Sequence, residues 1–480
     1  LYYQKNDERL SFASEFKSLI HYGINFKIDE NSLWQYLQFN YIPAPNTAVQ
    51  NVNKLMPGHY IRIIKGDIEF GCYFNLSKQR LKINTLDDKS IKTNLKDLVR
   101  SSVKKRLVSD VPLGTFLSGG IDSSIITSIA SEYKSDLKTF SIGFKDDSYF
   151  NETKYAEMVA KRLRTEHTSI MMTKKDLISS MYSILDYIDE PFSDSSSIPL
   201  FHLCKRTRKH IKVALSGDGA DELFSGYEKH RAEYFIQNSG FLKRNLLNIG
   251  YFSKFFPKSR EGDLNNLFRK IDKLWNGSKL STKERYWNWA SFNAQDSARS
   301  LIAKEFNEAD YFSRKSILLN DLDSSFNSVL ITDQKLVLLN DMLTKVDLTS
   351  MANSLEVRVP FLDHNLVNYV NSINSKYKIN FKSRKLILKQ VFSSYLPDDI
   401  ANRPKHGFEA PLRSLLLNEF NDKLEKYFSK DMIKEQSIFD YSKVEKMIFN
   451  LRSNNSEDSA YHVWNMIVFQ KWYQKFSQLA

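Results

Sequence analysis

Between about residues 91 and 215, short apolar runs alternate with stretches whose apolar residues recur at helical spacing. The runs at 111–117, 138–144, 166–171 and 211–215 read as strands, and the stretches at 122–133, 151–164, 174–187 and 197–209 as helices. The period is clearest in 151–164: Tyr155, Ala156, Val159, Ala160 and Leu163 share one face, opposite Lys154, Glu157 and Lys161. Parallel strands cannot be joined by a tight turn, so each pair needs a crossover, which a helix supplies. The alternation therefore predicts an α/β fold, a doubly wound and mostly parallel sheet with helices on both faces. Ligands of such sheets bind beyond the carboxyl ends of the strands.

One such end carries Ser118-Gly119-Gly120-Ile121-Asp122-Ser123-Ser124. Glycines let backbone approach an anion closely, and the first N–H groups of the following helix point at it, so the loop reads as a phosphate cradle. Asp122 would repel a phosphate unless it holds a divalent metal that bridges to it. A second turn, Ser216-Gly217-Asp218-Gly219-Ala220-Asp221-Glu222, follows the run at 211–215. Asp122 and Asp221 could then share magnesium ions on a triphosphate. The competing reading is two ordinary turns with capping Ser and Asp residues.

Two further stretches stand out. Asp341-Met342-Leu343-Thr344-Lys345-Val346-Asp347 leads to Glu356-Val357-Arg358 and Asp363, charges set among apolar residues, which suggests buried pairs. Structural pairing accounts for Glu356, Arg358 and Asp363 at least as well as catalysis does. Arg403-Pro404-Lys405-His406-Gly407-Phe408 reads as a loop between helices, with Lys405 a functional candidate. His167, at the start of a strand, reads as structural. Residues 230–340 are helical in pattern and rich in aromatics, with no legible chemistry.

Ahead of the alternating region, Leu1–Gln4 and Leu10–Ala13 read as strands and residues 30–40 as a helix. The alternation in Tyr60–Ile64 suggests a hairpin about Lys65-Gly66-Asp67, and the polar stretch Ser77–Ser90 reads as a linker. At 480 residues two or more domains are expected. The net charge of +13 is spread along the chain beside acidic residues, which argues against nucleic acid. Cys72 and Cys204 are the only cysteines, so no disulfide framework or cysteine zinc site is available. No apolar run approaches a membrane span, and a cytoplasmic protein is the expectation.

Taken together and in this order, LSGGIDSS (117–124), TFSIGF (139–144), LSGDGADELFSGY (215–227), DMLTKVD (341–347), SLEVRVPFLD (354–363) and KHGF (405–408) resemble the synthetase domain of the glutamine-dependent asparagine synthetase family. The first motif alone is shared with many ATP pyrophosphatases, tRNA-modifying enzymes included. The resemblance implies an ATP-pyrophosphatase (adenine nucleotide α-hydrolase-like) sheet with a helical C-terminal part over residues 91–480. It also implies ATP cleavage between the α- and β-phosphates with Mg2+. The backbone at Leu117 and Ile142 would hold adenine, with Ser216 and Gly217 near the nucleotide. Ser118, Gly119, Gly120, Ser123 and Ser124 would cradle pyrophosphate, and Asp122 and Asp221 would hold the metal. Lys345 and Lys405 would neutralise the leaving pyrophosphate, and Asp218 would lie beside the acyl-adenylate. Family members carry Glu or Asp at that last position.

Residues 1–80 resemble the end of the family's N-terminal α+β glutaminase domain and its connecting segment. The family's glutaminase nucleophile is a cysteine at the mature amino terminus, and neither Cys72 nor Cys204 has such a place. The chain is therefore expected to be a fragment of a longer enzyme or to use free ammonia. The expected reaction makes asparagine from aspartate through β-aspartyl-AMP, releasing AMP and pyrophosphate. The alternatives are an amidotransferase acting on another carboxylate, such as a surface sugar or a peptide, a tRNA-modifying ATP pyrophosphatase, and a non-catalytic scaffold. Partners would be small molecules, with neither nucleic acid nor membrane, and the chain admits a homodimer.

Overall fold

The computed structural model describes residues 1–6, 9–77, 83–145, 151–240, 263–401, 412–453 and 458–479. β1 (Tyr2–Lys5), β2 (Leu10–Ala13) and β3 (Asn53–Lys54) form a small antiparallel sheet in the order β2–β1–β3. β4 (His59–Ile64) and β5 (Asp67–Cys72) form the hairpin that the alternation predicts, turning through Lys65 and Gly66 at φ +50° and +95°. The central sheet is parallel throughout. It comprises β6 (Leu113–Phe116), β7 (Lys138–Phe144), β8 (Glu166–Met172), β9 (Val213–Leu215) and β10 (Glu356–Arg358), in the order β10–β9–β6–β7–β8.

Sequence reading misses β10. Its residues are charged at both ends, and as a strand it is defined by the open edge of β9, with Glu356 opposite Val213 and Arg358 opposite Leu215. The charges pair structurally: Arg358 Nε donates to Glu356 Oε1 (2.6 Å), and Arg106 donates to Asp363 Oδ2 (3.2 Å). The stretch read as a linker is likewise shorter than expected. Asp87 accepts from Ser90 N–H (2.9 Å) and caps a 19-residue helix at Asp88–Arg106.

Helices cover both faces of the sheet. Successive strand side chains point to opposite faces. Accordingly Val213 and Leu215 pack with residues of the helices Asp88–Arg106, Ile121–Tyr133 and Thr153–Leu163, while Ala214 joins Phe140, Ile142 and residues of Lys174–Tyr187 and Ser197–Thr207. The strand order runs outward in one direction from β6 through β7 and in the other through β9. That reversal opens a crevice at the carboxyl ends of β6 and β9. The Ser118 and Ser216 loops are the segments that leave those two ends.

The N-terminal part is not peripheral to this core. The helix Glu30–Phe39 is buried from Asn31 to Phe39. Trp34 stacks on Tyr311 with ring centroids 3.6 Å apart, and Tyr36 OH donates to the carbonyl of Asn465 (2.6 Å) in the C-terminal helix Asp458–Phe476. Among the described residues no helix is long and apolar enough to cross a membrane.

Candidate active site

The two loops touch. A Cβ on Gly217 would fall 2.9 Å from Asp122 Cβ and from Ser123 N, so only glycine lets the β9 loop lie against the start of the Ile121–Tyr133 helix. On the β6 side, Ser118 and Ser123 hydroxyls lie 3.0 Å apart, and Ser123 Oγ also accepts from Ser118 N–H (3.2 Å). Gly120 caps the helix, and its carbonyl takes the first turn's bond from Ser124 N–H (3.0 Å). On the β9 side Ser216 Oγ donates to Asp218 Oδ2 (2.5 Å), which fixes that carboxylate at the crevice.

Asp122 and Asp221 stand in the first turns of the helices that follow β6 and β9. Both reach one ammonium group. Lys385 Nζ lies 2.5 Å from Asp122 Oδ2 and 2.7 Å from Asp221 Oδ1, with its side chain 8% exposed. Burial opposes the charge on Lys385, but Asp122 and then Asp221 outweigh it, so its pKa is raised.

Lys345 lines the same cavity from another segment. Its Nζ donates to Asp194 Oδ2 and to Ser196 Oγ, both at 2.9 Å. Burial works against this ammonium too, yet the charge of Asp194 outweighs it and raises its pKa. Asp341 is driven well above the usual carboxylate range by burial and by the charge of Asp194. The segment before Lys345, Gln334–Leu343, is a π-helix, a geometry that often marks functional sites. Val337, Asp341, Met342 and Lys345 all line the cavity.

That cavity holds about 690 Å3. Of the residues expected at a nucleotide site it is lined by Leu117, Ser118, Asp122, Ser123, Ile142, Ser216, Gly217, Asp218, Asp221 and Lys345. Gly119 and Gly120 shape the loop without lining the cavity. Ser124 is fully buried and does not line it, and its hydroxyl finds no hydrogen-bond partner among the described residues. Lys405 falls outside the described residues. His167 bridges Thr139 and Ser141 hydroxyls along neighbouring strands, the structural place that its position in the strand suggests. Over residues 94–474 the chain matches the model of the asparagine synthase family.

The chain belongs to the asparagine synthase family.

It is thus an ATP-dependent carbon–nitrogen ligase of the asparagine synthase type. Residues 1–74 match the glutamine amidotransferase domain model. The chain is 32% identical over 489 residues to Asparagine synthetase (glutamine-hydrolyzing) 1 of Bacillus subtilis, covering 98% of this chain and 73% of that protein. Asparagine synthetase (glutamine-hydrolyzing) 3 of the same organism is 29% identical over 424 residues, covering 85% of this chain and 62% of that protein. Amidase chyE of Penicillium rubens is 22% identical over 496 residues, covering 93% and 71%. A solved NMN synthetase from Francisella tularensis aligns with 42% of this chain and 93% of its own at a TM-score of 0.23 and 15% identity, too remote to inform the fold.

Asparagine synthase motifs do not mark every residue of the site. Lys385 is missed: Ser383-Arg384-Lys385-Leu386 has no glycine and no spacing that sets it apart from other surface lysines. Asp194 leaves a faint signal, the run of small polar residues Asp194–Ser197 after Pro191. Glu222 sits inside a motif but reads as a third turn carboxylate, whereas it is 1% exposed and accepts from Tyr227 OH (2.7 Å).

Glu222 is expected to give the chain a pH-dependent stability. Burial, then Asp221 and Asp333, push its pKa from 4.5 up to about 7. Between those values the folded chain keeps a proton that the unfolded chain has released, so this group's contribution falls as pH rises through the window. The isosteric, uncharged Glu222→Gln keeps the Tyr227 bond and removes the slope. It is expected to be more stable than the wild type above pH 7 by up to about 3 kcal/mol, and equal to it near pH 4.5. Urea unfolding at pH 5 and pH 8 reads the difference, and parallel slopes for both proteins would rule the assignment out.

Proposed function

We propose that this chain adenylates the side-chain carboxylate of aspartate and transfers the acyl group to ammonia, giving asparagine, AMP and pyrophosphate through β-aspartyl-AMP. The observation that carries the reading is the convergence of Asp122, Asp221, Asp218 and Lys345 on one cavity at the carboxyl ends of β6 and β9. Carboxylates do not react with amines, and adenylation supplies the leaving group. Joining two anions requires cations held where charge develops.

The residues fit a divalent cation. Asp122 and Asp221 converge on one positive point, the Lys385 ammonium. Two protein carboxylates, with phosphate oxygens and water completing the shell, is how Mg2+ is commonly held. When bound, Mg2+ would neutralise phosphate charge and favour departure of pyrophosphate.

The chain's own groups do the rest. N–H groups at the start of the Ile121–Tyr133 helix, with the Ser118 and Ser123 hydroxyls, bind phosphate oxygens. Backbone at Leu117 and Ile142 holds the adenine edge, and Ser216 and Gly217 flank the nucleotide. Lys345 offers a fixed positive charge to the leaving pyrophosphate, and Lys405 is assigned the same task. Asp218, held by Ser216, faces the acyl group and receives a proton from the attacking amine.

Two units are proposed: residues 1–80 as the closing part of a glutaminase-like domain with its connecting segment, and residues 91–480 as the synthetase. In that arrangement glutamine supplies the nitrogen. A second reading, another carboxylic acid as acceptor, draws on the similarity to Amidase chyE across 93% of the chain. The test is pyrophosphate release with ATP, Mg2+ and ammonium against a panel of acids. Release with aspartate is the expected result. Release with a different acid and none with aspartate would replace the first reading by the second.

A further inference from the structure

The point where Asp122 and Asp221 converge already holds a cation belonging to the chain. Lys385 Nζ makes ion pairs at 2.5 and 2.7 Å with the two carboxylates assigned to the metal. A divalent ion shared by Asp122 and Asp221 would occupy the same space and repel the ammonium, so both cannot stand there together.

Lys385 is held in this position at some cost. Its backbone takes φ +53°, the left-handed region that side chains with a Cβ seldom adopt. Opposite it, Gly226 provides a notch: a Cβ there would fall 2.3 Å from Lys385 Cε and 1.7 Å from Asp221 Oδ1. Neighbouring contacts tie the same segment to the turn after β9. Lys385 N–H donates to Phe224 O (3.2 Å), Arg384 Nη1 donates to Gly226 O (2.7 Å), and the Arg384 guanidinium pairs with Glu228 (2.7 Å). Strain, a notch and a two-carboxylate ion pair at one residue indicate a fitted position rather than a lysine resting on a surface.

We propose that Lys385 is an internal counter-cation of the nucleotide site: it holds Asp122 and Asp221 while the site is empty, yields to the divalent cation that arrives with ATP, and turns its ammonium to the phosphate oxygens. The inference rests on the proposed metal role of Asp122 and Asp221. The charges account for the exchange. The Lys385 ammonium offsets charge that Asp122 and Asp221 would otherwise offer a free divalent ion, which weakens the site's attraction for it. With nucleotide present the phosphates offer the ammonium a new partner, and the two carboxylates are released to the metal. Free metal is thereby disfavoured and metal–nucleotide favoured, which makes Lys385 a positioning residue that couples the two ligands.

Mn2+ binding followed by electron paramagnetic resonance tests this without turnover. Wild type is expected to bind Mn2+ at this site tightly only when ATP is added. Lys385→Met is expected to bind Mn2+ alone at least about tenfold more tightly than wild type, and to lose most of the enhancement by ATP. Lys385→Arg keeps the charge and is expected to exclude free Mn2+ as wild type does. Free Mn2+ binding in Lys385→Met no tighter than in wild type would overturn the proposal while leaving the metal assignment standing. Unchanged Mn2+–ATP binding in Asp122→Asn would sink the metal assignment, and this proposal with it. Should Lys385→Met fail to fold, anomalous scattering from wild-type crystals grown with Mn2+ and a non-hydrolysable ATP analogue decides. Manganese between Asp122 and Asp221, with Lys385 Nζ moved onto a phosphate oxygen, supports the exchange. Lys385 still bridging both carboxylates overturns it.

Discussion

Lys345→Met is expected to lower pyrophosphate release roughly 100- to 1,000-fold, the usual effect of deleting a fixed charge aimed at a developing oxyanion. It is also expected to destabilise the fold by about 3 kcal/mol, because Asp194 loses the ammonium that accompanies it out of water. Burial alone would raise the Asp194 pKa, and Lys345 with the Ser196 bonds holds it down. The double variant Asp194→Asn, Lys345→Met separates the two effects. Removing both charges together is expected to restore most of the stability while leaving activity as low as in the single variant. Urea unfolding and a pyrophosphate assay on the three proteins measure both quantities. Recovery of activity in the double variant would show that Lys345 serves only to neutralise Asp194.

Asp122→Asn is the second large effect, with an expected fall in pyrophosphate release of at least about 100-fold. The amide occupies nearly the same volume, so the contact with Gly217 is retained and the fold should stand. What changes is charge. In the wild type ATP affinity should depend on Mg2+, and in Asp122→Asn that dependence should shrink to near nothing. Isothermal titration of ATP with and without EDTA reads it directly. An undiminished Mg2+ effect in the variant would place the metal elsewhere.

Local chemistry made one part of this architecture legible. The Ser118 and Ser216 loops declare themselves because glycines, capping serines and acids crowd into seven residues, and because strand and helix periods flank them. β6 to β9 could be read for the same reason, since strands covered on both faces appear as short, nearly unbroken apolar runs. β10 could not, because three residues with charged ends become a strand only through the ladder offered by β9. The buried Lys345 is foreshadowed by charges set among apolar neighbours, but its partner Asp194 lies 151 residues away. Lys385 lies 263 residues from Asp122, and no pattern at either end announces the meeting. Such pairs are products of tertiary packing, which local propensity does not encode.

The helix Glu30–Phe39 rests against the other end of the chain, and its Tyr36 finds a partner in Asn465, 429 residues later. At synthesis rates of about 5–20 residues per second, that helix emerges from the ribosome roughly 20 to 90 s before its neighbour exists. For this interval Tyr36, fully buried in the finished molecule, lacks that partner. Closure of the N-terminal helix onto Asp458–Phe476 is therefore a late step of assembly. A ribosome-stalled chain ending before residue 458 should leave Tyr36 open to chemical modification, and synthesis of the Asp458–Phe476 helix should close it.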